Sequence, residues 1–376
     1  DDHNKGGLGD DIIYASIGKD IEDGGEGIDT YIIDADMDYI PVIDLVNETA
    51  YLQGTDPVFD NSVKNFENVI MLGSTDVEII GNDTNNILTG GSGNDTLSTG
   101  AGNDQLFGGL GDDTLIINGT GDSVLDGGDG VDTFKIDLTT YTPPEGDPGF
   151  TYLANLSTGF AGSKNEPEHV NNDDLINIEN IDYSGLINAE LIGDDGDNII
   201  EGGGGDDYLY GGDGNDILSS GAGNDYIYGE GGDDKILVKG SGNQVFDGGA
   251  DNDTLELYLD NFPTLPEDFI GEVDLVNGWA GPVNDVDHAL SDEVHNIENV
   301  TVYGDKDYII TGDSNNNILK SGGGDDYLYG GDGNDVLKSG AGNDYIFGEK
   351  GDDILILNGS GTQTFDGGEG IDTFKL

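Results

Sequence analysis

From Gly202 to Leu237 the chain reads GGGGDDYLY GGDGNDILS SGAGNDYIY GEGGDDKIL, and one nine-residue frame accounts for all four segments. Glycine recurs at positions 1, 2 and 4, where it permits positive φ and lets the backbone approach a ligand closely. Position 6 is always an acid: Asp207, Asp216, Asp225 and Asp234. Position 8 is always large and apolar: Leu209, Leu218, Ile227 and Ile236. Six turn residues followed by three strand residues are too few for a hairpin and carry no helical period. The pattern suits a right-handed coil of parallel strands with two nonapeptides per turn. Residues one full coil apart then stack at about 4.8 Å, the spacing between strands. The expected fold is an all-β, parallel β-roll with almost no helix.

The same frame recurs along the chain. From Ser321 it reads SGGGDDYLY, GGDGNDVLK, SGAGNDYIF, GEKGDDILI, with Asp326, Asp335, Asp344 and Asp353 at position 6. From Gly90 come GGSGNDTLS, TGAGNDQLF and GGLGDDTLI, with Asp95, Asp104 and Asp113. Near the N-terminus GGLGDDIIY and GGEGIDTYI carry Asp11 and Asp29. A longer period of about 120 residues lies over this one. Each glycine-rich block follows NFENVIML at Asn65, NIENIDYS at Asn177 or NIENVTVY at Asn296. Upstream lies VIDLVNETAYL from Val42, LANLSTGFAG from Leu153 or EVDLVNGWAG from Glu272. The expected organisation is therefore a partial block at 1–32, full blocks at 81–138, 193–259 and 312–376, and connecting segments at 33–80, 139–192 and 260–311. The connecting segments are expected to form irregular β-coils or a flap rather than disordered linkers. The chain starts just before a repeat and stops inside one, so it reads as a piece of something longer.

Composition narrows the function. The chain has 78 acidic and 12 basic residues and a formal charge of −66, and all of its basic residues are lysine. Such a chain is repelled by nucleic acid and anionic lipid, so no nucleic acid partner and no membrane insertion are expected. It contains no cysteine, hence no disulfide and no thiolate metal site. Regularly spaced carboxylates instead call for a hard divalent cation held through oxygen. His3, His169, His288 and His295 are scattered and build no HExxH motif. With no Ser/His/Asp order or phosphate loop either, the chain is expected not to be an enzyme.

The motif GGxGxDxUx, repeated in register about fifteen times, resembles that of the RTX family of calcium-binding repeat proteins. The resemblance implies that each ion sits between one loop and the loop a full coil later. Positions 2, 4 and 6 of the first loop and positions 1, 3 and 6 of the second would hold it, the acids by side chain and the rest by carbonyl. On this reading Gly203, Gly205 and Asp207 pair with Ser220, Ala222 and Asp225, and Gly212, Gly214 and Asp216 with Gly229, Gly231 and Asp234. Gly322, Gly324 and Asp326 pair with Ser339, Ala341 and Asp344, and Gly331, Gly333 and Asp335 with Gly348, Lys350 and Asp353. Gly91, Gly93 and Asp95 pair with Gly108, Leu110 and Asp113, and Gly7, Gly9 and Asp11 with Gly24, Glu26 and Asp29. Gly100, Gly102, Asp104, Gly109, Gly111, Gly127, Asp129, Asp132, Gly211, Asp213, Gly330, Asp332, Asp253 and Asp372 complete the candidate set. Six or more oxygens per ion favour Ca²⁺ over Mg²⁺, and about ten ions are expected per chain.

The pattern has departures. Asn198 and Asn317 replace Asp in the first nonapeptide of their blocks, and Asn243 and Thr362 do so near the end, which should leave weak or empty sites. One extra residue precedes Asp132, Asp253 and Asp372. Position-5 acids such as Asp206 and Asp233 alternate with Asn215 and Asn224 and read as solvated turn residues. Proteins of this resemblance are typically exported unfolded by type I secretion from Gram-negative bacteria and fold outside the cell, at its surface or free of it. The favoured role is a structural array in an adhesin stalk, matrix or S-layer-like protein. The alternatives are the calcium-binding tail of a secreted enzyme or toxin, or a polysaccharide-binding module. Copies of the chain, a cell surface and polysaccharide are the candidate partners beside calcium.

Overall fold

The computed structural model describes residues 2–15, 18–34, 40–53, 60–139, 151–164, 172–258, 269–283 and 292–375. It has two compact units, Asp1–Gly185 and Leu186–Leu376. Among the described residues every regular element is a strand, and most strands pair in parallel with the strand one coil away. His169 and His288 lie outside the described residues.

In the second unit Tyr208–Asp213 pairs with Tyr226–Gly231, placing Tyr208 beside Tyr226 and Leu209 beside Ile227. The alternate strands form a second stack, Ile199–Glu201 on Ile217–Ser219 and these on Lys235–Val238. Strand side chains alternate between faces, so position 8 points inward from both stacks. Leu209, Leu218, Ile227, Ile236, Leu328, Leu337, Ile346 and Leu355 are accordingly buried. The first unit repeats this build, with Leu97, Leu106 and Leu115 inside. The all-β roll expected from the nine-residue frame is the fold of both units.

The extra residue before Asp132 lengthens a strand and leaves the loops in place. Thr96–Ser98 pairs with Thr114–Ile117 at a spacing of 18, yet the Asn118 amide bonds to Thr99 Oγ1 at a spacing of 19. Beyond that point the register stays at 19, as in Gln105 beside Val124.

The described parts of the connecting segments continue the stacks. In the second unit Asp292–His295 lies parallel on Val245–Ala250, and the hairpin Ile270–Asp274/Trp279–Pro282 adds two antiparallel rungs to it. The far strand of that hairpin then pairs in parallel with Asp307–Thr311, where the regular coil resumes. In the first unit the hairpin Pro41–Asp44/Thr49–Leu52 is spliced in the same way between Asp60–Lys64 and Glu78–Ile80. Tyr152–Asn155 and Phe160–Ser163 form a third hairpin, against Asp173–Ile176. The shared phrases starting at Val42, Leu153 and Glu272 are these hairpins. Their common Asp or Asn closes the turn: Asp44, Asn155 and Asp274 each accept the backbone N–H three residues on, at 2.8–2.9 Å.

Candidate metal centres

Along each edge of the roll, position 6 forms a ladder of hydrogen bonds. The Asp207 amide donates to Asp225 Oδ1 at 2.9 Å, and the Asp216 amide to Asp234 Oδ1 at 2.8 Å. The Asp335 and Asp353 amides do likewise to Asp353 and Asp372, and those of Asp95 and Asp113 to Asp113 and Asp132. Asp326 to Asp344 and Asp11 to Asp29 complete the series, so the pairs expected from the sequence are neighbours in space. Where the extra residue intervenes, Asp234 still reaches Asp253, at 2.8 Å.

The ladder uses one carboxylate oxygen and leaves the other. Oδ2 of Asp11, Asp29, Asp95, Asp104, Asp113, Asp132, Asp207, Asp216, Asp234, Asp253, Asp326, Asp335, Asp344 and Asp353 is buried without a hydrogen-bond partner. A buried polar atom left unsatisfied carries a desolvation cost of about 1–3 kcal/mol, more when charged. Around most of these oxygens a position-1 glycine clears a space, whereas Thr99, Ser321 and Ser339 hold position 1 before Asp104, Asp326 and Asp344. A methyl group on Gly211 would meet Asp216 Oδ2 and would lie 2.7 Å from the Gly229 carbonyl oxygen, one coil away. Gly330 stands in the same relation to Asp335 Oδ2 and the Gly348 carbonyl. Positions 2 and 4 turn with φ of +116° at Gly212 and +118° at Gly214, a region open chiefly to glycine.

Burial raises the affinity of many of these carboxyls for protons. It carries Asp207 up to about 8, and Asp113, Asp253 and Asp326 to about 7, against the bond each accepts from the ladder. Asp95, Asp132, Asp216, Asp234 and Asp335 rise to about 6 for the same reason. Neighbouring acids add to the rise, as Asp225 and Asp206 do at Asp207. Among the described residues no three His, Cys, Asp or Glu side chains converge on one point. A shell here would therefore consist of two carboxylates and backbone carbonyls, an all-oxygen donor set that suits a hard cation. The orphaned Oδ2 atoms and the glycine-cleared spaces fit such an ion.

At the ends of the blocks the space is filled by an amide instead. Asn86, Asn198 and Asn317 fold their carboxamide into their own turn: Oδ1 accepts the N–H four residues earlier at 2.8 Å in each case. Nδ2 of Asn86 and of Asn317 donates to the carbonyls of Glu67 and Glu298, at 2.7 and 2.8 Å. Near the end of the second block, Gln244 rather than Asn243 occupies position 6, and in the third Gln363 rather than Thr362. This corrects the sequence frame, which placed the extra residue next to the acid instead of at the strand end. Gln244 Nε2 reaches Asp225 Oδ2 and the Gly221 carbonyl, both at 3.3 Å, and Gln363 Nε2 the Gly342 carbonyl at 3.0 Å. An N–H donor thus approaches the oxygens that elsewhere have none.

Position 5 behaves differently. The Asn224 amide donates to Asp206 Oδ1 at 2.9 Å and the Asp233 amide to Asn215 Oδ1 at 2.8 Å. These side chains are exposed. They are more than solvated turn residues, since each accepts one ladder bond. That bond needs a single oxygen, which explains why Asp and Asn interchange there.

Paired carboxylates along the rungs, most of them with a buried free oxygen and many beside a position-1 glycine, define a cation-binding β-roll. The model for the RTX calcium-binding nonapeptide repeat matches residues 1–31, 80–115, 119–135, 188–218, 210–237, 240–261, 304–337, 311–346 and 329–360. The chain belongs to that family, and the ion its repeats take is calcium. No curated protein sequence matches the chain.

Proposed function

We propose that this chain is a calcium-dependent structural array of a secreted, extracellular or surface-attached protein, with a supporting rather than a catalytic role. The observation that carries this reading is the row of buried, unpartnered Oδ2 atoms along the rolls. Calcium bound at those oxygens supplies the positive charge and the hard coordination sphere that the fold itself lacks. The residues do the rest: the ladder fixes Oδ1, the glycines that hold position 1 in most loops keep the space clear, and position-8 residues close the core. Extracellular calcium modules typically have Kd values of about 10⁻⁴–10⁻³ M, so sites of this kind are empty in a cytosol and filled outside it. Metal-binding and folding free energies then become one quantity. The assignment of an ion to each Asp pair, including Asp207 with Asp225 and Asp216 with Asp234, belongs to this proposal.

The experiment is a calcium titration of the 376-residue chain, followed by circular dichroism and hydrodynamic radius. In EGTA the chain is expected to be expanded and poor in β-structure, to compact cooperatively with millimolar calcium, and to respond weakly to magnesium. An equal radius and β signal in EGTA and calcium would contradict the proposal.

A further inference from the structure

The Asn-x-Glu-Asn phrase that recurs at Asn65, Asn177 and Asn296 has no role in the nonapeptide pattern, yet in all three places it meets the last loop of a block. The second instance shows the arrangement. The Asp132 amide donates to Glu179 Oε2 at 2.7 Å, the bond that a regular rung such as Asp207 or Asp216 makes to an Asp Oδ1 one coil later. The Asp132 carbonyl accepts the amides of Glu179 and Asn180, at 3.1 and 2.9 Å. Asn177 turns through φ of +50° and brings its carbonyl against Gly127, where a position-1 carbonyl lies in a regular rung. Its side chain is tied to Asp126 Oδ1 at 2.8 Å, and buried Ile178 anchors the phrase in the core. Asp132 itself is fully buried, with Oδ2 lacking any partner.

The other two instances repeat these relations. The Asp29 amide donates to Glu67 Oε2 at 2.8 Å and the Asp253 amide to Glu298 Oε2 at 2.9 Å. Asn65 and Asn296 have φ of +55° and +48°, and their carbonyls lie against Gly24 and Gly248. Asp29 and Asp253 are likewise fully buried with an unpartnered Oδ2.

We infer that the phrase is a shortened calcium half-loop, in which the first Asn supplies the position-1 carbonyl and the Glu supplies the position-6 carboxylate. Three further divalent-cation sites follow, Asp29 with Glu67, Asp132 with Glu179 and Asp253 with Glu298. A normal loop puts its acid five residues after position 1, whereas here it comes two residues after. The extra methylene of Glu spans the gap left by the shorter loop. Each site lies where the chain returns from a connecting segment, so the ion fastens the returning strand to the block it left. The inference rests on the proposed calcium-dependent folding but is tested apart from it.

The test is calcium stoichiometry by equilibrium dialysis on the full chain, comparing wild type with Glu179→Gln, Glu298→Gln and the triple variant that adds Glu67→Gln. Gln keeps the acceptor oxygen for the Asp amide and removes the charge. Each single variant is expected to lose one bound ion, and the triple variant three, with the circular dichroism of the calcium-saturated single variants unchanged. Should the triple variant fail to fold, the two single variants decide. Wild-type stoichiometry in the folded single variants overturns the inference, while a wild type that folds without calcium overturns the broader proposal instead.

Discussion

Positions 5 and 6 of the loop both carry Asp, and both accept one backbone N–H from a neighbouring coil, yet their second oxygens have opposite fates. At Asp206 the side chain is exposed; at Asp207 it is fully buried and Oδ2 has no partner. Asp207→Asn keeps an Oδ1 for the Ala189 amide, now accepted at 2.7 Å, but places an N–H where the cation should be. The expected outcome is one fewer bound ion and a higher calcium midpoint, with a loss of about 1.5–3 kcal/mol for a charged contact. Asp206→Asn should change neither, and equal effects in a side-by-side titration would show that the register is wrong. The repeated Asp was legible because its spacing is constant. The amide substitutes Gln244 and Gln363 were not, because one residue added at a strand end shifts the count without shifting the loop. Glu67, Glu179 and Glu298 escaped for a related reason: a Glu in a shorter loop does the work of an Asp in a longer one. The signal that could have found them is their recurrence at the same place relative to each block.

Among the strands, the outward positions 7 and 9 build aromatic ladders. Tyr208 stacks on Tyr226 with centroids 4.8 Å apart and Tyr210 on Tyr228 at 5.1 Å, and Tyr327–Tyr345 and Tyr329–Phe347 repeat this in the third block. The rings lie within 4–9° of parallel, so the faces that meet cover one another. That geometry favours strand support over stacking against a sugar. Tyr208→Thr, which retains β-propensity, should lower stability in calcium by about 0.2–1 kcal/mol and leave the number of bound ions unchanged. Thermal denaturation with dialysis checks both, and a lost ion would mean that the ladder positions the loops. The stacking followed from the coil period. The antiparallel hairpins did not, because an inserted rung pair obeys the turn chemistry of Asp44 and Asp274 rather than the nine-residue period.

For the whole molecule, the charge of −66 and the buried carboxyls act in the same direction. Without metal, the buried Asp residues with raised proton affinity bind their protons more tightly than the unfolded chain does, from an ordinary 3.8 up to about 8 at Asp207. Unfolding then releases protons, so stability of the metal-free fold is present below about pH 4 and is lost as pH rises toward 8. The expected result in EGTA is more β-structure at pH 5 than at pH 8. With calcium the dependence reverses: protons and cation compete for the same oxygens, so the calcium midpoint falls as pH rises. Circular dichroism against pH in both conditions is the check, and a metal-free β signal that grows with pH would contradict the account.

The most direct test is an anomalous difference map, at a wavelength where calcium scatters strongly, from crystals grown in calcium. Peaks are predicted between Asp207 and Asp225 and between Asp216 and Asp234, with none between Asp225 and Gln244, where the amide already approaches the oxygens. Peaks on the exposed position-5 side chains, or no peak beside the buried Oδ2 atoms, would contradict the claim that those atoms hold calcium.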